Sequence, residues 1–187
     1  MSGDEYRLAL IVVILFVAYT FLLRQNLRHN FSIFLLACIT GFFVQLPLGR
    51  DLNLYTPNIT VYLWHVSLAV IVTWGAGLTS IYAVDTWLAR VRGKAPGLWT
   101  LLLCGLPILV MLEFVGSHIV RMKLHDYRQY SSLMPALNCM HAPPWLYAYI
   151  TGSALVFFYS LKALAIYGTD WSWSSVLSRP LTHGETE

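Results

Sequence analysis

Residues 98–120 read LWTLLLCGLPILVMLEFVGSHIV, twenty-three positions that hold one acid, Glu113, and no Lys or Arg. A helix rises about 1.5 Å per residue and a hydrocarbon core is about 30 Å thick, so about 20 apolar residues make one crossing. This stretch predicts a transmembrane helix. Pro107 inside it removes a backbone donor and predicts a kink six residues before the acid.

The same reading extends in both directions along the chain. Further apolar runs cover Leu8 to Leu23, Phe31 to Leu48, Thr60 to Leu88 and Trp145 to Tyr167, with most of the charge between them. The 187 residues are 57% hydrophobic and 11% charged, where a soluble domain carries about 25% charged residues. The expected fold is therefore all-α, an integral membrane bundle of about five transmembrane helices forming a single domain. The helices are expected at about 7–24, 31–49, 60–88, 98–120 and 145–168. Trp171, Trp173, Val176 and Leu177 among polar residues predict an interfacial tail over 169–187. Ala69, Thr73 and Gly77 recur every four positions in the third run, a pattern that lets a neighbouring backbone come close. Between helices four and five lies a long interfacial loop, Arg121 to Pro144, too rich in Tyr, Met, Leu and Trp to read as disorder.

Several function classes are excluded. The net charge of +3 is small and its Lys and Arg residues lie in short loops, so nucleic acid is not an expected partner. Three cysteines without a CxxC spacing argue against a disulfide framework or thiol-redox site. Six scattered histidines lack the short repeats of a di-iron oxygenase, and Cys139, Met140 and His141 are consecutive rather than spaced for a closed metal site. No metal and no cofactor is expected, and no hydrolase, zinc-protease, P-loop or dinucleotide motif occurs. The first run follows Asp4 and Glu5 and is not followed by a small-residue cleavage site, so it is read as a retained helix. With the N-terminus outside, Arg24, Arg28, Arg90, Arg92, Lys94 and Arg179 fall on the cytoplasmic side of a multi-pass protein. The expected location is a bacterial inner membrane or an endomembrane.

Alternating helices bring the end of helix two, the start of helix three, the end of helix four and the start of helix five to one face. Gln45, His65, Glu113, His118 and the long loop fall there, while Asp85 and Lys162 fall near the other. An ionisable group two turns inside a helix end costs about 2.5 kcal/mol or more in hydrocarbon, which makes Glu113 the leading candidate for proton transfer. The candidate catalytic set is Glu113, His118, His65 and His141. The candidate substrate-binding set is Gln45, Asp126, Tyr127, Asn138 and Trp145.

The expected function is a small intramembrane enzyme acting on an apolar lipid or isoprenoid by acid–base chemistry. With helices that carry acidic residues into the bundle, the architecture broadly resembles that of small membrane-embedded terpenoid cyclases, a likeness of fold without a shared motif. That resemblance implies protonation of an alkene or epoxide by Glu113 and stabilisation of the cation by aromatic faces. The alternatives are a noncatalytic membrane subunit that docks a protein partner through residues 121–144, and a small-molecule carrier. The expected partners are the lipid bilayer and an apolar small molecule, with a membrane protein as the partner in the subunit alternative.

Overall fold

The structure is a computed structural model that describes residues 3–23, 26–48, 55–56, 61–93, 98–121, 123–124, 131–164 and 166. The chain is mostly helical, with five helices: α1 (Gly3–Phe21), α2 (Leu27–Gln45), α3 (Leu68–Arg92), α4 (Leu98–His118) and α5 (Pro144–Ala163). Local chemistry sets their ends. Asn26 caps α2 by accepting from the amides of Arg28 and His29, Ser67 caps α3 by accepting from Ala69, and Gly93 ends α3 at φ 61°. Pro144 opens α5, where a missing amide proton costs little.

The third helix begins later than expected, at Leu68 instead of near Thr60. Tyr62–Leu63 (β2) and Val66–Ser67 (β3) pair as a small antiparallel hairpin, with Trp64 in its turn at φ 56°. Apolarity continues unbroken through this hairpin into α3, and apolar content alone does not separate a short strand from a helix. Two residues on each side of the bundle end, Tyr55–Thr56 (β1) and Lys123–Leu124 (β4), also pair antiparallel and so join the α2–α3 and α4–α5 connections. The interfacial tail expected over 169–187 lies outside the described residues.

Among the described residues, Leu27–Leu48 and Leu68–Arg92 are long and apolar enough to cross a membrane by length and composition, and α4 contributes a shorter apolar stretch, Leu103–His118. The five expected crossings thus correspond to five helices of which two meet that criterion. Polarity is inverted relative to a helix that faces water. Leu27, Phe31, Leu35, Ile39 and Phe43 form an exposed apolar row on α2, while Asn30, Ser32 and Gln45 of the same helix are buried. On α1, Leu10, Val13, Ile14, Val17 and Phe21 are likewise exposed.

The bundle is organised around α3, which packs most extensively against α2, next against α4, and against α1 along its remaining side. Close approach of α2 and α3 depends on two glycines. A Cβ at Gly41 would overlap the side chain of Trp74, and one at Gly75 would overlap the Cys38 Sγ and the Phe34 ring. The Ala69–Thr73–Gly77 row does not make this contact: Gly77 faces Leu112 of α4, and the Thr73 hydroxyl donates to the Ala69 carbonyl at 2.8 Å. The core lies along the α2–α3–α5 line, where Ile33, Ala37, Val70, Leu78, Tyr82, Phe157, Phe158 and Leu161 are buried together. The Tyr149 hydroxyl of α5 donates to the Val44 carbonyl of α2 at 2.8 Å and pins the two helix ends.

Gly41→Ala and Gly75→Ala are each expected to destabilise the purified protein by about 1–3 kcal/mol and so to lower its thermal midpoint, because the added methyl has no room. Gly152→Ala, where a Cβ would meet nothing within 4 Å, is expected to leave it unchanged or slightly raised. Heating followed by size-exclusion chromatography separates the two outcomes.

Candidate functional site

A cavity of about 290 Å³ lies between α3, α4 and α5, capped by the end of α2 and by the loop before α5. Successive turns of the three helices contribute: α3 from Val70 to Ile81, α4 from Gly105 to Ser117, and α5 from Leu146 to Phe158. α5 makes few close backbone approaches to α2, α3 or α4, and the slot lies where it passes α3 and α4.

Polar groups gather at one end of the slot. Gln45, Glu113, Ser117, His141 and Tyr147 line it there, with Thr73 and Thr151 about one turn further in. Below them the lining is apolar, from Leu78, Ile81, Leu106, Leu109, Ala154, Leu155 and Phe158. Glu113 is only partly buried by its own helix neighbours because its side chain borders the cavity. Among the described residues the lining contains no Lys or Arg.

A short folded segment forms the roof. Residues 131–143 make a tight turn in which Met134 pairs with Cys139 around a single 3₁₀ turn, Pro135–Leu137. Asn138 at φ 45° and Met140 at φ 61° adopt the left-handed conformation, strained for residues with a Cβ. The Ser132 hydroxyl donates to the Cys139 carbonyl and accepts from the Met134 amide at 3.1 Å, which holds the turn closed. Cys139, Met140 and Ala142 then pack with Leu146 and Tyr147 against Leu109 and Val110 of α4. Burial pushes the Cys139 thiol up from its ordinary value, and the charge of Glu113 adds to the effect.

The candidate residues named from the sequence separate into distinct places. Glu113, Gln45 and His141 share the cavity. Asn138 stands behind His141, its Oδ1 accepting from the His141 Nε2 at 3.0 Å, and so orients the imidazole from the roof. His65 and His118 do not line the cavity. His65 Nε2 donates to the Leu46 carbonyl at 2.9 Å, and His118 Nε2 donates to the Leu137 carbonyl at 3.0 Å, so each ties an adjoining loop to a helix end. Trp145 is 53% exposed and also lies off the lining. Asp126 and Tyr127 lie outside the described residues. Among the described residues no three His, Cys, Asp or Glu side chains cluster as a metal ion would require.

Sequence reading passed over Ser117 and Tyr147, which belong to the polar end. Ser117 follows Glu113 by four positions, the spacing that puts two side chains on one helix face, so that signal was available. It also passed over a second buried polar group at the opposite end of the bundle. His29 Nε2 and the Tyr82 hydroxyl hydrogen-bond at 2.7 Å, the hydroxyls of Tyr19 and Ser80 hydrogen-bond to each other, and Asp85 is 1% exposed. Beside them Asn30 and Thr79 are fully buried, with side-chain polar atoms that have no hydrogen-bond partner among the described residues. These residues read as ordinary helix positions until α2 is laid on α3.

Comparison with protein-family models, with curated proteins and with solved structures found no match. The chemistry of the site is therefore argued from its geometry alone.

Asn30→Leu removes two buried polar atoms that have no hydrogen-bond partner among the described residues and is expected to stabilise the fold by about 1 kcal/mol, whereas His29→Phe removes the hydrogen bond to the Tyr82 hydroxyl and is expected to destabilise it by a similar amount. Thermal unfolding of the two purified variants beside the parent protein checks both signs.

Proposed function

We propose that the chain is a multi-pass membrane protein of five crossings, N-terminus outside, and that it is an enzyme acting on an apolar lipid or isoprenoid within the α3–α4–α5 slot. Membrane insertion is supported by the exposed apolar rows on α1 and α2 and by the inward placement of their polar residues. Catalysis is supported by one observation above others: Glu113, the single acid of α4, borders a mostly apolar cavity together with Gln45, Ser117 and His141. A carboxyl in such a place is suited to give a proton to a substrate that water does not reach.

In this reading Glu113 delivers its proton to a carbon–carbon double bond or an epoxide oxygen. The resulting cation rearranges or closes a ring within the slot, facing the π systems of Trp74, Tyr147 and Phe158. Loss of a proton from carbon then restores neutrality, with His141 or Gln45 at the polar end to receive or relay it. Proton gained and proton lost balance, so the reaction is an isomerisation or cyclisation that requires no redox partner. His65 and His118 have structural roles, holding the loops that frame the slot.

Glu113→Gln preserves the size of the side chain and removes the transferable proton. Lipid extracts of cells expressing the variant are expected to lose one product and accumulate its isomer, with the protein folded and present in membranes at the parent level. An unchanged lipid profile, together with loss of a protein that co-purifies with the parent chain, would overturn catalysis in favour of a subunit role.

A further inference from the structure

We infer that the slot takes a single-chain amphiphile with a neutral hydrogen-bonding head and one apolar tail, about fourteen bonds long from head to tail tip. The head is held at Gln45, Glu113 and His141, and the tail runs toward Phe158. This deepens the catalytic reading above and rests on it for the identity of the site, but it concerns binding and can be tested without turnover.

The direction of the ligand follows from where the lining is polar. Gln45 ends α2, Glu113 and Ser117 lie near the end of α4, and His141 sits in the roof, all at one end of the bundle. Beyond the second turn of each lining helix no polar side chain lines the slot. A molecule polar at both ends would leave one polar end unpaired against Ile81, Leu106 and Phe158, a loss of several kcal/mol on transfer from water.

The head is neutral because, among the described residues, the lining has a carboxyl, an amide and an imidazole but no Lys or Arg. A phosphate or sulfate would meet Glu113 without a cation to offset it. A hydroxyl, carbonyl or epoxide finds both donors and acceptors there.

Tail length follows from helix geometry. Val70 to Ile81, Leu106 to Ser117 and Tyr147 to Phe158 each cover twelve residues, eleven steps along a helix, so each wall is about 17 Å long from its polar to its apolar end. An extended chain advances about 1.2 Å per bond, which gives about fourteen bonds. The far end is lined by small residues: Ala154 lies on α5, and Gly105 lies on α4, where an added Cβ would come into ordinary contact with Ile81 Cδ1 at 3.6 Å.

The test uses the full chain in phosphatidylcholine nanodiscs, incubated with an equimolar ladder of linear 1-alkanols of about ten to twenty carbons and washed. Retained alcohol is measured by mass spectrometry against empty nanodiscs. Retention is expected to peak near fourteen carbons and to fall about tenfold at twenty. Ala154→Phe fills the far end and is expected to move the peak to shorter chains by about four carbons. Gly105→Val, a smaller change on another helix, is expected to move it in the same direction and stands independently should Ala154→Phe fail to fold. Alkyl phosphates of the same lengths are expected to be retained no more than by empty nanodiscs.

A flat length profile, a peak that neither variant moves, or retention of alkyl phosphates above alcohols would overturn the proposal. Glu113→Gln separates the two readings. It is expected to keep the alcohol length profile, since the amide still hydrogen-bonds, while removing the lipid product. Length-selective binding by a chain that makes no product would overturn the enzyme and leave the ligand class standing.

Discussion

The contact on which the rest of this protein depends is the close approach of α2 to α3 across Gly41 and Gly75. Trp74 fits over the bare backbone of Gly41, while Cys38 and Phe34 fit over that of Gly75, so the two helices lie nearer than ordinary side chains permit. Small residues at a helix interface substitute dispersion and backbone proximity for the hydrophobic drive that is lost when the surroundings are themselves apolar. With α2 drawn in, its far end also becomes the anchor for α5 through Tyr149 and Val44. The slot lies beside this pair, where α5 passes α3 and α4.

The two ends of the bundle treat polarity differently. At the roofed end, polar side chains border a cavity and are presented to whatever fills it. At the other end, His29 pairs with Tyr82 and Tyr19 with Ser80 between helices, and Asn30 and Thr79 are buried with polar atoms that have no hydrogen-bond partner among the described residues. Buried polar groups of this second kind restrict which rotation of α2 on α3 is tolerated, because any other would break bonds that no water replaces. One end is thus suited to binding and the other to specifying the packing.

Much of the architecture was legible from residue order. Five apolar runs separated by charge and turn residues located five helices, and Glu113 stood out as the one acid within the apolar run 98–120. Alternation of helices then placed Gln45, Glu113 and His141 at one end, and the cavity brings these three together. Less was legible for His65 and His118. A histidine at a helix end has the same sequence appearance whether it borders a cavity or ties a loop, and the choice depends on which carbonyls, those of Leu46 and Leu137, arrive beside it. The start of α3 was misplaced for a related reason, since the hairpin over residues 62–67 is as apolar as the helix that follows.

Composition and periodicity by themselves determined the helical class, the order of the helices, the inward acid and the end at which polar chemistry gathers, because these depend on hydropathy and on the alternation of direction along a chain. Only the tertiary structure decided that a slot exists, that it is polar at one end and apolar along the rest of its walls, that Ser117 and Tyr147 join it and that two histidines do not. Those features depend on how α3, α4 and α5 pack beside one another. A separation between helices is a property of three-body packing, and no window along the chain contains it.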